Sequence, residues 1–187
     1  MHRHTLLKLL ANYHTRDIHE KAMVEHTRRF VLEHENCFDR SLSEGHVTGT
    51  AWVLNPSRSH ALMLHHRKLN MWLQPGGHAD GDTDITRVAL TEASEESGID
   101  PSHIKLLSPE IFDVDVHTVY PSEHDTRHQH FDIRFLLEID DSVAIPGNDE
   151  SHQIGWVPLR QVTSLNNARS LYRMVQKSRR LNTCVQS

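Results

Sequence analysis

A chain of 187 residues, with 37% hydrophobic side chains and 20 basic against 25 acidic residues, suits one main domain with a real core and room for a small appended element. The formal charge of −5 leaves no excess of cations to hold a nucleic-acid polymer or an anionic membrane. Apolar runs such as Ala51 to Leu54 fall far short of the roughly 20 residues needed to span a bilayer.

In chain order, residues 5–14 and 18–35 read as two helices, the second with Met23, Thr27, Phe30 and Val31 at three-and-four spacing. They form a helical extension over residues 1–44, suited to a homodimer interface or a lid. "MHRHTLLKLLANYH" is too short and interrupted for a secretory signal. From about residue 46 the pattern turns to strands: "HVTGTAWVL" (46–54), a turn at "NPSRS", then "HALMLHH" (60–66). "MWLQPGG" (71–77) is a short strand stopped by Pro75 and two glycines. Asp82, Thr83 or Asp84 can cap the next helix, which runs to about Ser97 and is closed by Gly98. Residues 104–120 and 130–139 supply further strands, joined by the polar "PSEHDTRHQ". A strand at 152–159 precedes a terminal helix at 164–179. The main domain is therefore expected over residues 45–187. Cys37 and Cys184 lie far apart outside any CxxC pattern, which fits a reducing compartment, the cytoplasm. The 17 histidines are spread along the chain and read mostly as surface and packing residues.

One helix carries an unusual concentration of acid. At about 100° per residue, Ile85, Val88, Ala89 and Ala93 form an apolar stripe, Glu92 and Glu96 project into it, and Glu95 sits at its edge. Like charges at such spacing cost about 0.2–0.5 kcal/mol per pair even when exposed, and partial burial costs far more. A solvated, salt-bridged face fits poorly, because Arg87 lies on the opposite side. A divalent cation fits better. Carboxylates without His or Cys among them suit Mg²⁺ or Mn²⁺ rather than zinc. The preceding "PGGHADGD" lets backbone approach a metal or ligand closely.

The stretch Gly77 to Ile99 resembles the Nudix box, Gly-x5-Glu-x7-Arg-Glu-U-x-Glu-Glu-x-Gly-U with U apolar. Gly77, Glu92, Ala93, Glu95, Glu96, Gly98 and Ile99 stand at the family positions, and "WLQPGG" and "IGWVPL" also look like Nudix sequence. Thr83 stands where the family has its first Glu, and Thr91 where it has an Arg that orients a box glutamate. Asp82 or Asp84 is a candidate substitute for the acid missing at Thr83. The resemblance implies an α+β fold, an α/β/α sandwich with a mixed sheet, here preceded by the helical extension. It also implies a metal-dependent hydrolase that cleaves a diphosphate linkage in a nucleotide-type small molecule, using Mg²⁺ or Mn²⁺. Glu92, Glu95 and Glu96 would be the metal set, with the Gly77 carbonyl as a further ligand. Glu150, in the loop before the last strand, is the candidate general base.

Outside the box, Arg67 and Lys68 offer cations to phosphate, and His78 lies beside the double glycine. His128, His130 and Asp132 alternate on one strand face, suited to phosphate or a second metal, with His117 and His124 nearby. Tyr120 or Phe131 is a candidate to stack on a base, whereas Trp52, Trp72 and Trp156 read as core. The isomerases that share this fold need a catalytic Cys, and neither Cys37 nor Cys184 lies in the right region. The remaining alternative is a catalytically weak Nudix domain that binds or senses a nucleotide metabolite.

Overall fold

The computed structural model describes residues 2–120 and 126–183. Its elements are α1 (His4–Asn12), α2 (Ile18–Glu33), β1 (Gly45–Leu54), β2 (His60–His66), β3 (Met71–Leu73), β4 (Gly76–His78) and α3 (Ile85–Ser97). A 3₁₀ turn at Pro101–His103 leads to β5 (Lys105–Leu106), β6 (Asp113–Val119), β7 (His128–Glu138), β8 (Ser151–Pro158), α4 (Leu159–Leu165) and α5 (Arg169–Thr183). The expected α+β class with a mixed sheet is found. The strand path is β3-β2-β1-β7-β5, with β4 paired to β1, β6 to β7 and β8 to β2. Among the described residues no helix is long and apolar enough to cross a membrane.

Two expected elements are each divided in two, each for a local cause, and one further short strand is added. The strand expected over 104–120 breaks between β5 and β6 around Pro109, which has no N–H for the ladder. Hydrogen bonding to β7 is kept on either side, Leu107 N–H donating to Leu136 at 3.0 Å and Phe112 N–H to Arg134 at 2.8 Å. The strand expected to stop at Pro75 does so as β3, the Pro75 carbonyl accepts from Ala51 N–H at 2.9 Å, and the glycines that follow form the additional strand β4. The terminal helix becomes α4 and α5 because Asn166 is extended. Its side chain donates to the Trp72 carbonyl at 2.8 Å and accepts from Ala168 N–H at 3.0 Å, competing with the helical backbone bonds.

The chain divides into two compact units. The first comprises Met1–Thr50, Gly76–Ala89 and Ser108–Phe135. Asp17 caps α2 by accepting from His19 and Glu20 N–H at 2.9 and 3.0 Å. The Glu20 carboxylate, fully buried, accepts from Tyr13 Oη at 2.6 Å, from Thr15 Oγ1 and from Val114 N–H at 3.2 Å, which ties α2 to β6. Phe30 stacks on Phe131 of β7 with ring centres 3.9 Å apart. A buried charge cluster lies on β6 and β7. Arg134 meets Asp132 at 2.8 Å, Asp113 at 3.3 Å and Asp115 at 3.4 Å. Asp132 also accepts from Thr48 and Thr50 Oγ1 on β1, at 3.0 and 2.6 Å.

The second unit comprises Ala51–Pro75, Leu90–Leu107 and Leu136–Ser187. Its core joins Ala51, Val53 and Leu62 to Ala93 and Ile99 at the end of α3, and to Leu137 and Ile139. Trp52 is fully buried, and its Nε1 donates to Ser178 Oγ at 2.8 Å. Gly98 ends α3 with φ +69°. A Cβ there would stand 2.8 Å from the Gly147 carbonyl oxygen, so the position accepts only glycine without strain.

Candidate active site

The start of α3 is built from its own acids. Asp84 Oδ1 accepts from Arg87 N–H at 3.1 Å as a helix cap, and Asp82 Oδ1 accepts from Asp84 N–H at 2.9 Å. The Arg87 guanidinium grips both oxygens of Asp82, at 2.8 and 2.6 Å, and holds that carboxyl below the usual range. Both candidate substitutes for the acid missing at Thr83 are thus committed to forming the helix start.

Further along, burial follows the helical period. Glu96 is 6% exposed, Glu92 one turn earlier is half-buried, Glu95 is exposed, and Ala93 between them enters the core of the second unit. Two ionisable carboxyl groups are therefore carried toward the packed side of one helix.

Arg67, Lys68 and Glu150 lie in the same unit as those glutamates. Arg67 N–H donates to the Glu150 carbonyl at 2.9 Å and its Nε donates to the Ser151 carbonyl at 2.9 Å. The expected phosphate binder and the loop that carries the expected general base are therefore joined. The guanidinium positions the backbone of the loop, and the Glu150 side chain remains exposed.

Gly77, His78, His128 and His130 belong to the first unit. Gly77 pairs in register with Gly49 on β1, and His78 with Thr48. His78 and His130 share a cluster with His46, whose ring centre is 4.8 Å from each, and with His128 at 4.9 Å from His46. His117, the register partner of His130, lies 5.4 Å from it, ring centre to ring centre. His124 lies outside the described residues. Asp132, grouped with these histidines in the sequence, is instead taken by Arg134, Thr48 and Thr50. Phe131 is 1% exposed and covered by Phe30, so it does not offer a face to a base, whereas Tyr120 is exposed. A cavity of about 170 Å³ lies against α2 and β7, lined in part by Arg29, Glu33, Gln129 and Phe131, and includes none of the glutamates or histidines expected at the site.

His46 was not singled out from the sequence. Its signal was the alternation His46, Thr48, Thr50 along a strand that is otherwise apolar, the counterpart of His128, His130, Asp132 on β7. Which polar face meets which depends on long-range strand pairing.

Burial and then neighbouring cationic charge push His46 down to about 4, and burial with the surrounding imidazoles pushes His130 down to about 2. Both rings are neutral at pH 7 and give no positive charge to a phosphate. Relative to an unfolded histidine near 6.5, the folded chain binds fewer protons as pH falls below that value, so it loses stability there. In EDTA, urea unfolding is expected to show constant stability above pH 7 and a fall through the window from 6.5 to 4. The slope is at most about 1.4 kcal/mol per pH unit for each such ring. A profile flat down to pH 4.5 would contradict the assignment.

The arrangement of α3 and its flanking strands has counterparts. A family model described as the NUDIX domain matches residues 45–177. The chain belongs to the Nudix family. Nudix hydrolases act on pyrophosphate bonds of nucleotide-type substrates. No curated protein matches the sequence, but solved structures share the Nudix fold. An Ap4A hydrolase from C. elegans, in a binary complex, aligns with TM-score 0.55 at 13% identity, covering 73% of this chain and 97% of that one. The dihydroneopterin triphosphate pyrophosphohydrolase of E. coli aligns with TM-score 0.55 at 15% identity, covering 70% and 92%. A Nudix hydrolase from M. Smegmatis, RenU, gives 0.54 at 18%, covering 75% and 88%.

Proposed function

We propose that this Nudix protein is a divalent-metal-dependent hydrolase, working in the cytoplasm, that cleaves the diphosphate linkage of a nucleoside diphosphate joined to another moiety. The observation that carries this reading is the burial of Glu96, 6% exposed, one turn after half-buried Glu92 and beside exposed Glu95. An acid is kept at low exposure only where ionisation has a use or a compensation. Three carboxylates would supply an all-oxygen donor set, which fits Mg²⁺ or Mn²⁺. Glu92, Glu95 and Glu96 would hold the ion, which when bound neutralises diphosphate charge and lowers the pKa of the attacking water.

The chain's own groups then supply position and proton transfer. Glu150 is the proposed base, exposed on a loop whose backbone Arg67 fixes. A carboxylate so placed takes the proton from the attacking water. Arg67 and Lys68 add positive charge for phosphate on the same turn. Buried Cys37, a free thiol raised to about 11, is inert and consistent with a reducing compartment.

The test is phosphate or pyrophosphate release from a panel of nucleoside di- and triphosphates, nucleotide sugars and dinucleotides. Turnover with Mg²⁺ or Mn²⁺, abolished by EDTA and restored by added metal, is the expected result. Silence across the panel with ligand-induced thermal shifts would favour a binding or sensing role, with Thr83 and Thr91 as the departures responsible.

A further inference from the structure

We infer that His46, His78 and His130 form a metal site for a borderline transition-metal ion of the zinc type. The site is built from nitrogen donors and differs in chemistry from the carboxylate set of α3. The inference does not rest on the proposed hydrolysis. One ring nitrogen from each of the three histidines lies within 4.8 Å of the others, and the ring centres are 4.8, 4.8 and 5.1 Å apart. Tetrahedral zinc, with Zn–N of about 2.0–2.1 Å, sets its nitrogens roughly 3.3 Å apart. Closing the set therefore asks for side-chain shifts of about an ångström, within reach of small χ rotations.

A second observation is independent of that spacing. His46 is 3% exposed, and neither of its ring nitrogens has a hydrogen-bond partner among the described residues. A neutral imidazole carries one donor and one acceptor, and burial with neither matched is costly. Coordination gives the lone pair a partner.

The surroundings fit the same ion. The charged groups beside the cluster, Asp80 and Arg40, are paired with each other, and both act on His46. His128 Nδ1 lies 2.7 Å from the Thr126 carbonyl, and its Nε2 lies 3.1 Å from His130 Nε2. Donation from Nδ1–H to the carbonyl leaves the Nε2 lone pair facing His130, and such carbonyl-anchored imidazoles orient metal-site histidines. Asp132 is withdrawn by Arg134 and the two threonines, so among the described residues this carboxylate does not join the three nitrogens. Three imidazoles suit zinc, cobalt, nickel or copper and leave a position open to water or an exchangeable ligand, whereas Mg²⁺ and Ca²⁺ call for oxygen.

The test uses the full chain without an affinity tag, Zn²⁺ in equilibrium dialysis against a competing chelator, and Co²⁺ absorption as a report on nitrogen coordination. One equivalent of zinc is expected. Its affinity should weaken at least ~10-fold in His78→Gln and in His130→Ala, and persist in Glu96→Gln. His78 and His130 are less buried than His46, and circular dichroism confirms that each variant is folded. Wild-type chain that retains no zinc, histidine variants that retain as much as wild type, or loss in Glu96→Gln alone would each overturn the site. Failure here leaves the substrate panel unaffected, and silence in that panel leaves zinc stoichiometry unaffected.

Discussion

Glu96→Gln is expected to lower turnover at saturating Mg²⁺ by at least about tenfold, equivalent to roughly 1.4 kcal/mol or more of transition-state stabilisation, while the unfolding midpoint stays near wild type. The amide keeps the volume and one acceptor oxygen at a position that is 6% exposed, so packing against the second unit's core is preserved. What it removes is negative charge, the property that a cation-holding carboxylate supplies. Relief of like-charge repulsion between Glu92 and Glu96 works in favour of the variant's fold. Lost activity with an intact fold therefore separates chemistry from stability. Unchanged steady-state kinetics would remove Glu96 from the mechanism.

Arg134→Leu is expected to destabilise the chain by about 3–5 kcal/mol, the cost of leaving buried charge without its partner. That is a large fraction of the roughly 5–15 kcal/mol that holds a domain together. The guanidinium is buried and lies within 3.4 Å of Asp132, Asp113 and Asp115, which are themselves buried. Without it, three carboxylates remain close together with less compensation. The deficit should narrow as pH falls and the aspartates take up protons, because each protonation removes one of the repelling charges. Arg134→Lys should be milder, since it keeps the charge and loses the fork. Denaturant midpoints at pH 7 and pH 5 measure both effects, and an Arg134→Leu midpoint equal to wild type would refute the account.

The acids of α3 were legible because everything that defines them is local. Helical spacing brings Glu92, Ala93 and Glu96 to one side, and the observed burial follows that stripe. Gly98 was legible for the same reason, since a helix end needs a positive φ within one turn. Asp132 and His46 were not. Alternation along β7 correctly placed His128, His130 and Asp132 on one face, but could not say that Thr48, Thr50 and Arg134 would claim the aspartate. Nor could it bring His46 from β1 and His78 from β4 to His130, which required strand register. The elements that divided show the complementary lesson. Pro109 was visible, but the apolar residues on both sides of it read as one extended stretch until the missing donor is counted, whereas Pro75 was read as a stop and β3 ends before it.

Family likeness begins at residue 45, yet the first unit extends well before it. Glu20 reaches Val114 on β6, and Phe30 covers Phe131 on β7. A fragment cut at the point where the likeness starts would take an acceptor from one strand and a roof from the next, leaving an aromatic face open to water. The preceding helices are part of what keeps that sheet folded. What is inherited with the family and what must be present for the chain to hold its shape have different edges.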